Sequence, residues 1–181
     1  DGTAVATTAD TSHAFESLGE FTVVLTVTNA DGTPGYDFVR IKVLNRLPTA
    51  VMHQPANPLT TNMCTDVTFD ATGSNDAGDV GHGGGTIVSH EWDYGDGASV
   101  SIPAVSHSRQ YQSPSGNVPF NARLEVIDDD GGRSAAVVRQ ITVVNRLPSV
   151  SITANGATGT VQMTIGTRVD FTSVASDPDS A

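Results

Sequence analysis

An all-β fold, built as a tandem array of two-sheet sandwiches, is the class this sequence predicts, and three observations predict it. Asn-Arg-Leu-Pro occurs twice, at residues 45–48 and 145–148, each time directly after an alternating run, Ile41-Lys42-Val43-Leu44 and Ile141-Thr142-Val143-Val144. A spacing of 100 residues is the period of a whole recurring domain. Short runs of β-branched, aromatic or alternating residues, bounded by Gly, Asp or Pro, recur at 21–27, 66–69, 86–92, 120–126 and 137–143. No helix-length window carries a 3.6-residue periodicity. Seven or so short strands per hundred residues, each with one apolar face, read as two packed sheets.

The two ends of the chain can be laid on its middle. Asp1-Gly2 matches Asp96-Gly97, His13-Ala14-Phe15 matches Arg109-Gln110-Tyr111, and Leu25-Thr26-Val27 with Asp31-Gly32 matches Leu124-Glu125-Val126 with Asp130-Gly131. Downstream, Val169-Asp170-Phe171 matches Val67-Thr68-Phe69, and Ala175-Ser176-Asp177 matches Gly73-Ser74-Asn75. Three segments are therefore expected: 1–46, the C-terminal part of a repeat; 47–146, a complete repeat; and 147–181, the N-terminal part of a repeat. A unit of about 100 residues buries enough surface to fold alone. The flanking segments would leave half-built sheets unless a neighbour completes them, and the sequence reads as an excerpt of a longer repeat protein.

Face assignments follow from the period of two. Phe21, Val23, Leu25 and Val27 share one face and are expected in a core, with Thr22, Val24, Thr26 and Thr28 opposite. The matching run puts Phe120, Ala122, Leu124 and Val126 inward and Asn121, Arg123 and Glu125 outward, so a one-residue slip would bury two charges. Asn29-Ala30-Asp31-Gly32 and Asp128-Asp129-Asp130-Gly131-Gly132 carry the turn chemistry that closes each hairpin.

Sixteen of the 20 acidic residues are Asp, against 9 Lys and Arg, for a net charge of −11. Such a surface repels phosphate backbones, which argues against nucleic acid as a partner. It suits cations, high salt or simple solubility. The single cysteine, Cys64, cannot form an internal disulfide and reads as a small apolar residue beside a strand. No apolar stretch approaches a membrane span, and no segment has the pattern of a secretory leader.

In His90-Glu91-Trp92-Asp93-Tyr94-Gly95-Asp96-Gly97, alternation sets Trp92 and Tyr94 on one face before a glycine-bounded tight turn, which makes Trp92 a core anchor. This segment resembles the hallmark Trp-Asp-Phe-Gly-Asp-Gly run of the PKD (polycystic kidney disease) family of immunoglobulin-like sandwiches, with Tyr94 in place of the Phe. Phe69-Asp70-Ala71-Thr72-Gly73-Ser74 precedes it in the family's order, and His13-Ala14-Phe15 fits the family's later aromatic position. The middle unit departs there with Arg109-Gln110-Tyr111, with the longer Gly116-Asn117-Val118-Pro119-Phe120, and with a long loop from Asn75 to Gly85. The resemblance implies tandem immunoglobulin-like (PKD-type) β-sandwiches, an extracellular spacer or adhesion module, and no enzymatic activity.

Candidate chemistry is sparse. The loop Asn75-Asp76-Ala77-Gly78-Asp79 and its counterpart Asp177-Pro178-Asp179 offer closely spaced oxygens of the kind Ca²⁺ accepts. Asn75, Asp76, Asp79, Asp177 and Asp179 are thus candidate Ca²⁺ ligands, although neither loop matches an EF-hand and ordinary turn carboxylates explain both. No cofactor is required. Asp128, Asp129 and Asp130 read as a turn, and Asp93 and Asp96 as caps of backbone N–H groups. His13, His53, His82, His90 and His107 lack any partner at zinc-ligand spacing. No Gly-x-Ser-x-Gly nucleophile turn exists, and Gly81-His82-Gly83-Gly84-Gly85 lacks the Lys and Ser or Thr of a phosphate loop.

The linkers Asn45-Arg46-Leu47-Pro48 and Asn145-Arg146-Leu147-Pro148 carry a mechanical logic. Proline fixes its own φ and extends the preceding Leu, so each linker is expected to carry one unit into the next semi-rigidly. Arg46 and Arg146 are placed to pair with loop carboxylates across the joints. The leading functional expectation is a structural or adhesive segment of an extracellular surface or filament-forming protein. Its partners would be neighbouring repeats or, by strand exchange, further copies. The alternative is a carbohydrate- or protein-binding module of a secreted hydrolase, in which Tyr36, Tyr94 or Tyr111 would stack on surface glycans.

Overall fold

The computed structural model describes residues 7–77, 85–116 and 118–179, and among the described residues there are strands and turns but no helix. The first two strands, β1 (Gly19–Thr28) and β2 (Pro34–Val43), form a ten-residue antiparallel hairpin with Phe21 opposite Ile41 and Val27 opposite Gly35. Its turn is set by the Asn29 side chain, whose Oδ1 accepts from the N–H groups of Asp31 at 3.1 Å and Thr33 at 2.8 Å.

The middle of the chain adds β3 (Leu59–Asn62), β4 (Asp66–Asp70), β5 (Ile87–Asp93), β6 (Ser99–Ile102), β7 (Ser106–Gln110), β8 (Phe120–Asp128) and β9 (Val137–Val144). Five of these form one sheet in the order β3-β9-β8-β5-β6, with β3 parallel to β9 and the other pairs antiparallel. The facing sheet is the pair β4-β7. The segment before it widens this sheet through isolated pairings of Thr49 with Asn75 and Gln54 with Asp70. Two sheets with their apolar faces together constitute the sandwich expected from the strand pattern.

The core lies between those sheets. Ala122, Leu124 and Val126 of β8 are fully buried while Asn121 and Arg123 face solvent, the polarity the alternation predicts. Trp92, 1% exposed, stands opposite Leu124 and packs edge-on against Phe69 with ring centroids 5.5 Å apart. Burying side chains of this size contributes roughly 1.5–3 kcal/mol each, which explains why a unit with one Trp coheres. Tyr111 stacks on Phe120 at 5.3 Å and closes the end of the core nearest that strand.

The last two strands, β10 (Ser149–Ala154) and β11 (Phe171–Ser176), form a second hairpin, with Ser149 opposite Ser176 and Ala154 opposite Phe171. The apolar face of β1 is open to solvent and not part of a core as expected. Val23, Leu25 and Val27, the predicted core face of β1, are 45%, 61% and 61% exposed. Val150, Ile152, Phe171 and Val174 of the second hairpin are exposed as well. The reason is geometric: each hairpin is a single two-stranded layer, and an apolar face is buried only where a second layer lies over it.

Candidate functional site

The hallmark segment ends β5 in a tight turn. The Asp93 Oδ1 accepts from the Gly95 N–H at 2.9 Å, and the Asp96 Oδ1 accepts from the Ala98 N–H at 3.1 Å. Both carboxylates cap turn N–H groups. Gly95, at φ 77°, lies against β8, and a Cβ there would come 2.6 Å from the Asn121 nitrogen. Only glycine fits this bend.

Behind the turn, six side chains lock together. Arg109 of β7 pairs with the second oxygen of Asp96, and its guanidinium lies 4.1 Å from the Tyr94 ring centroid and 5.3 Å from that of Tyr111. The Tyr111 hydroxyl donates to the Tyr94 carbonyl at 3.1 Å. The Tyr94 hydroxyl shares a hydrogen bond with His107 Nε2 at 2.6 Å, and His107 stacks on Phe69 at 5.5 Å. Burial pushes both tyrosine hydroxyls up from their ordinary acidity, and Arg109 partly opposes this. Burial pushes His107 down, and the Arg109 charge adds to it. At neutral pH the cluster therefore holds neutral phenols and a neutral imidazole, each tied to a neighbour. It can brace a fold. It offers no activated nucleophile.

Arg109 was missed by sequence reasoning, which took Arg109-Gln110-Tyr111 as a surface departure from the aromatic pattern. Its aromatic and carboxylate partners lie on the hallmark turn, so only the crossing of β7 over that turn reveals the role.

On the outer face of the larger sheet, Glu91 of β5 stands directly opposite Glu125 of β8. Arg133, from the turn before β9, pairs with both carboxylates, and Arg123 pairs with Glu125 at 3.1 Å. An open groove runs along this face, lined by Glu91, Asp93, Ser99, Ser101, Arg123 and Glu125.

The candidate Ca²⁺ ligands fall in two separate loops. Asn75 pairs with Thr49, and its side chain spans the turn from the Gly73 carbonyl to the Ala77 N–H. Asp76 is buried against Gly85. Asp79 lies outside the described residues, as does His82. Asp177 caps the Asp179 N–H at 3.0 Å, and Asp179 binds Arg146. Among the described residues no group of three or more His, Cys, Asp or Glu is arranged to hold a metal ion. Asp128 accepts from the Gly132 N–H at 2.6 Å and from Asn45 Nδ2 at 2.8 Å, and Asp129 caps the Thr86 N–H.

Of the tyrosines proposed as a stacking surface, Tyr94 and Tyr111 are buried in the core, whereas Tyr36 is 70% exposed. That removes two of the three platforms, because a ring buried in the core has no face to offer a sugar.

Residues 45–143 match the family model described as the PKD domain. The chain belongs to the PKD-domain family. The match starts inside the first Asn-Arg-Leu-Pro linker and ends in β9, and so takes in the sandwich with its braced turn. The PKD hallmark here carries Tyr94 for Phe, and the substitution is used: its hydroxyl reaches His107. Among solved structures, the PKD1 domain of Epp from Vibrio anguillarum is 24% identical, covering 56% of this chain and 100% of that one with a TM-score of 0.39. A structure of carbohydrate-binding modules from the β-sandwich superfamily is 24% identical over 61% of this chain, at a TM-score of 0.43. The fibronectin(III)-like modules of CbhA from Clostridium thermocellum are 17% identical over 70% of it, at a TM-score of 0.45. The chain spans 46% and 63% of the lengths of those last two. No curated protein matches it.

Proposed function

We propose that the chain is a non-catalytic, semi-rigid spacer segment of an extracellular surface or filament-forming protein, built from tandem PKD units at 1–46, 47–146 and 147–181. What supports this reading is a two-stranded hairpin on either side of the sandwich, each pairing segments that match segments paired within it. The hairpin β1-β2 repeats the pairing of β8 with β9, Phe21 opposite Ile41 as Phe120 is opposite Ile141, and β10-β11 pairs the segments that match those joined by Thr49 with Asn75 and Gln54 with Asp70, shifted by one residue, each joined through the same four-residue linker. Its buried aromatic cluster serves cohesion, which is what a spacer needs. With strands of roughly 7–9 residues at about 3.3 Å per residue, a complete unit adds on the order of 30 Å.

Small-angle scattering of the whole chain tests the reading. An elongated particle that becomes broader in its distance distribution when Pro48 and Pro148 are both replaced by Gly is expected. A compact particle, unaffected by those replacements, refutes a spacer. A concentration series in the same experiment reads strand exchange between copies as growth in mass. The acidic loops are a secondary, structural Ca²⁺ proposal, and thermal unfolding with and without a chelator tests it: an unchanged midpoint removes the metal.

A further inference from the structure

We propose that a single loop position, held by Asp179, decides whether a joint carrying the Asn-Arg-Leu-Pro linker is clamped. The inference rests on the tandem-repeat reading above. The two linkers are identical in sequence. Any difference between the joints therefore comes from what faces them.

At the downstream joint, Arg146 donates its backbone N–H to Asp179 Oδ2, its Nε–H to Asp179 Oδ1 at 2.6 Å, and its Nη2 to the Pro178 carbonyl at 2.5 Å. The Asp179 side chain is 2% exposed. Two charge-assisted contacts on the two oxygens of one carboxylate give direction as well as attraction. The loop is held in shape by the Asp179 N–H bonding Asp177 Oδ1 at 3.0 Å. It is also held to the middle sandwich: the Cys64 thiol, in the turn after β3, donates to the Asp179 carbonyl at 3.3 Å. Next to Cys64, the Met63 N–H bonds the Val144 carbonyl at the end of β9 at 2.9 Å. Linker, loop and sandwich end thus meet on one residue.

The upstream joint is built differently. Matching Ala175-Ser176-Asp177 to Gly73-Ser74-Asn75 puts Ala77 in the place of Asp179, and Arg46 is exposed. There the linker is held to the turn after β8, by Asn45 Nδ2 donating to Asp128 Oδ2 at 2.8 Å. The Arg of the linker is the same in both joints; among the described residues, a carboxylate receives it in one.

Residual dipolar couplings from the middle sandwich and from the β10-β11 hairpin of the labelled full chain test the clamp. In the wild type one alignment tensor should fit both. Asp179→Ala should separate the two tensors and speed exchange of the Arg146 N–H by about tenfold or more, as expected for loss of a bond that limits local opening. Arg146→Gln leaves the Asp177–Asp179 turn intact and should separate the tensors too, which covers the case in which Asp179→Ala unfolds the hairpin. Ala77→Asp should slow exchange of the Arg46 N–H. Tensors that stay common in both downstream variants overturn the clamp and leave the spacer reading standing. Separate tensors already in the wild type overturn the clamp together with the stiffness of the spacer. Unchanged Arg46 exchange in Ala77→Asp overturns the rule that this position decides.

Discussion

Gly95 shows how much one residue can hold. Its φ of 77° and the Asn121 backbone 2.6 Å from where a Cβ would stand leave two independent reasons against any side chain. Adding the left-handed penalty of about 1–2 kcal/mol to an overpacking cost of about 1–3 kcal/mol, Gly95→Ala should destabilise the sandwich by roughly 3 kcal/mol in denaturant unfolding. Gly97, with open space around it, should tolerate the same change better. His107 gives a pH signature. Its folded pKa is depressed, chiefly by burial, so the unfolded chain binds the proton more readily. Stability from this group is present above the free-imidazole value near 6.5 and is lost as pH falls from there toward the depressed folded value. Unfolding midpoints should therefore drop between pH 7.5 and 5.5, well above the range where Asp70 and Asp179, both held below the usual carboxylate range, begin to take up protons. A flat profile across that interval contradicts the buried neutral imidazole. Trp92 as a core anchor was legible from alternation; the service of Arg109 was not, since nothing near it in sequence names a partner.

Strands were legible to the extent that their two faces differ. β8 alternates apolar and polar residues strictly, and its register emerged as read. β6 and β7, Ser-Val-Ser-Ile and Ser-His-Ser-Arg-Gln, carry serine where a strand signal wants bulk, and sequence reading passed over them. β1 teaches the opposite lesson. It alternates as β8 does, yet its apolar face is exposed, because alternation records which side wants cover and is silent on whether cover is there. Between β5 and β8 the facing pair Glu91 and Glu125 is unfavourable in itself and tolerable through Arg133. Arg133→Ala should lower the unfolding midpoint modestly at low salt, and most of the loss should vanish in about 1 M salt, where the Debye length is about 3 Å. A loss independent of salt would show that Arg133 acts by packing alone.

Across the whole molecule, protection should be graded. β5, β8 and β9 border the buried core, whereas β1-β2 and β10-β11 keep most of their apolar side chains in water. Native-state hydrogen exchange should find the first group opening only near global unfolding and the hairpins exchanging faster by orders of magnitude. Equal protection throughout would mean that the hairpins are covered in solution.

The direction of β3 has one more effect. It runs parallel to β9, with Leu59 beside Ile141 and Asn62 beside Val144, so one terminal strand of the sandwich lies alongside the other. Tension that enters at Pro48 and leaves at Val144 would first peel away the few bonds of residues 49–54. It then loads the parallel ladder in shear, where the evenly spaced bonds must rupture together and cannot unzip one at a time. Pulled between its two ends, the sandwich sets that ladder as the barrier to opening.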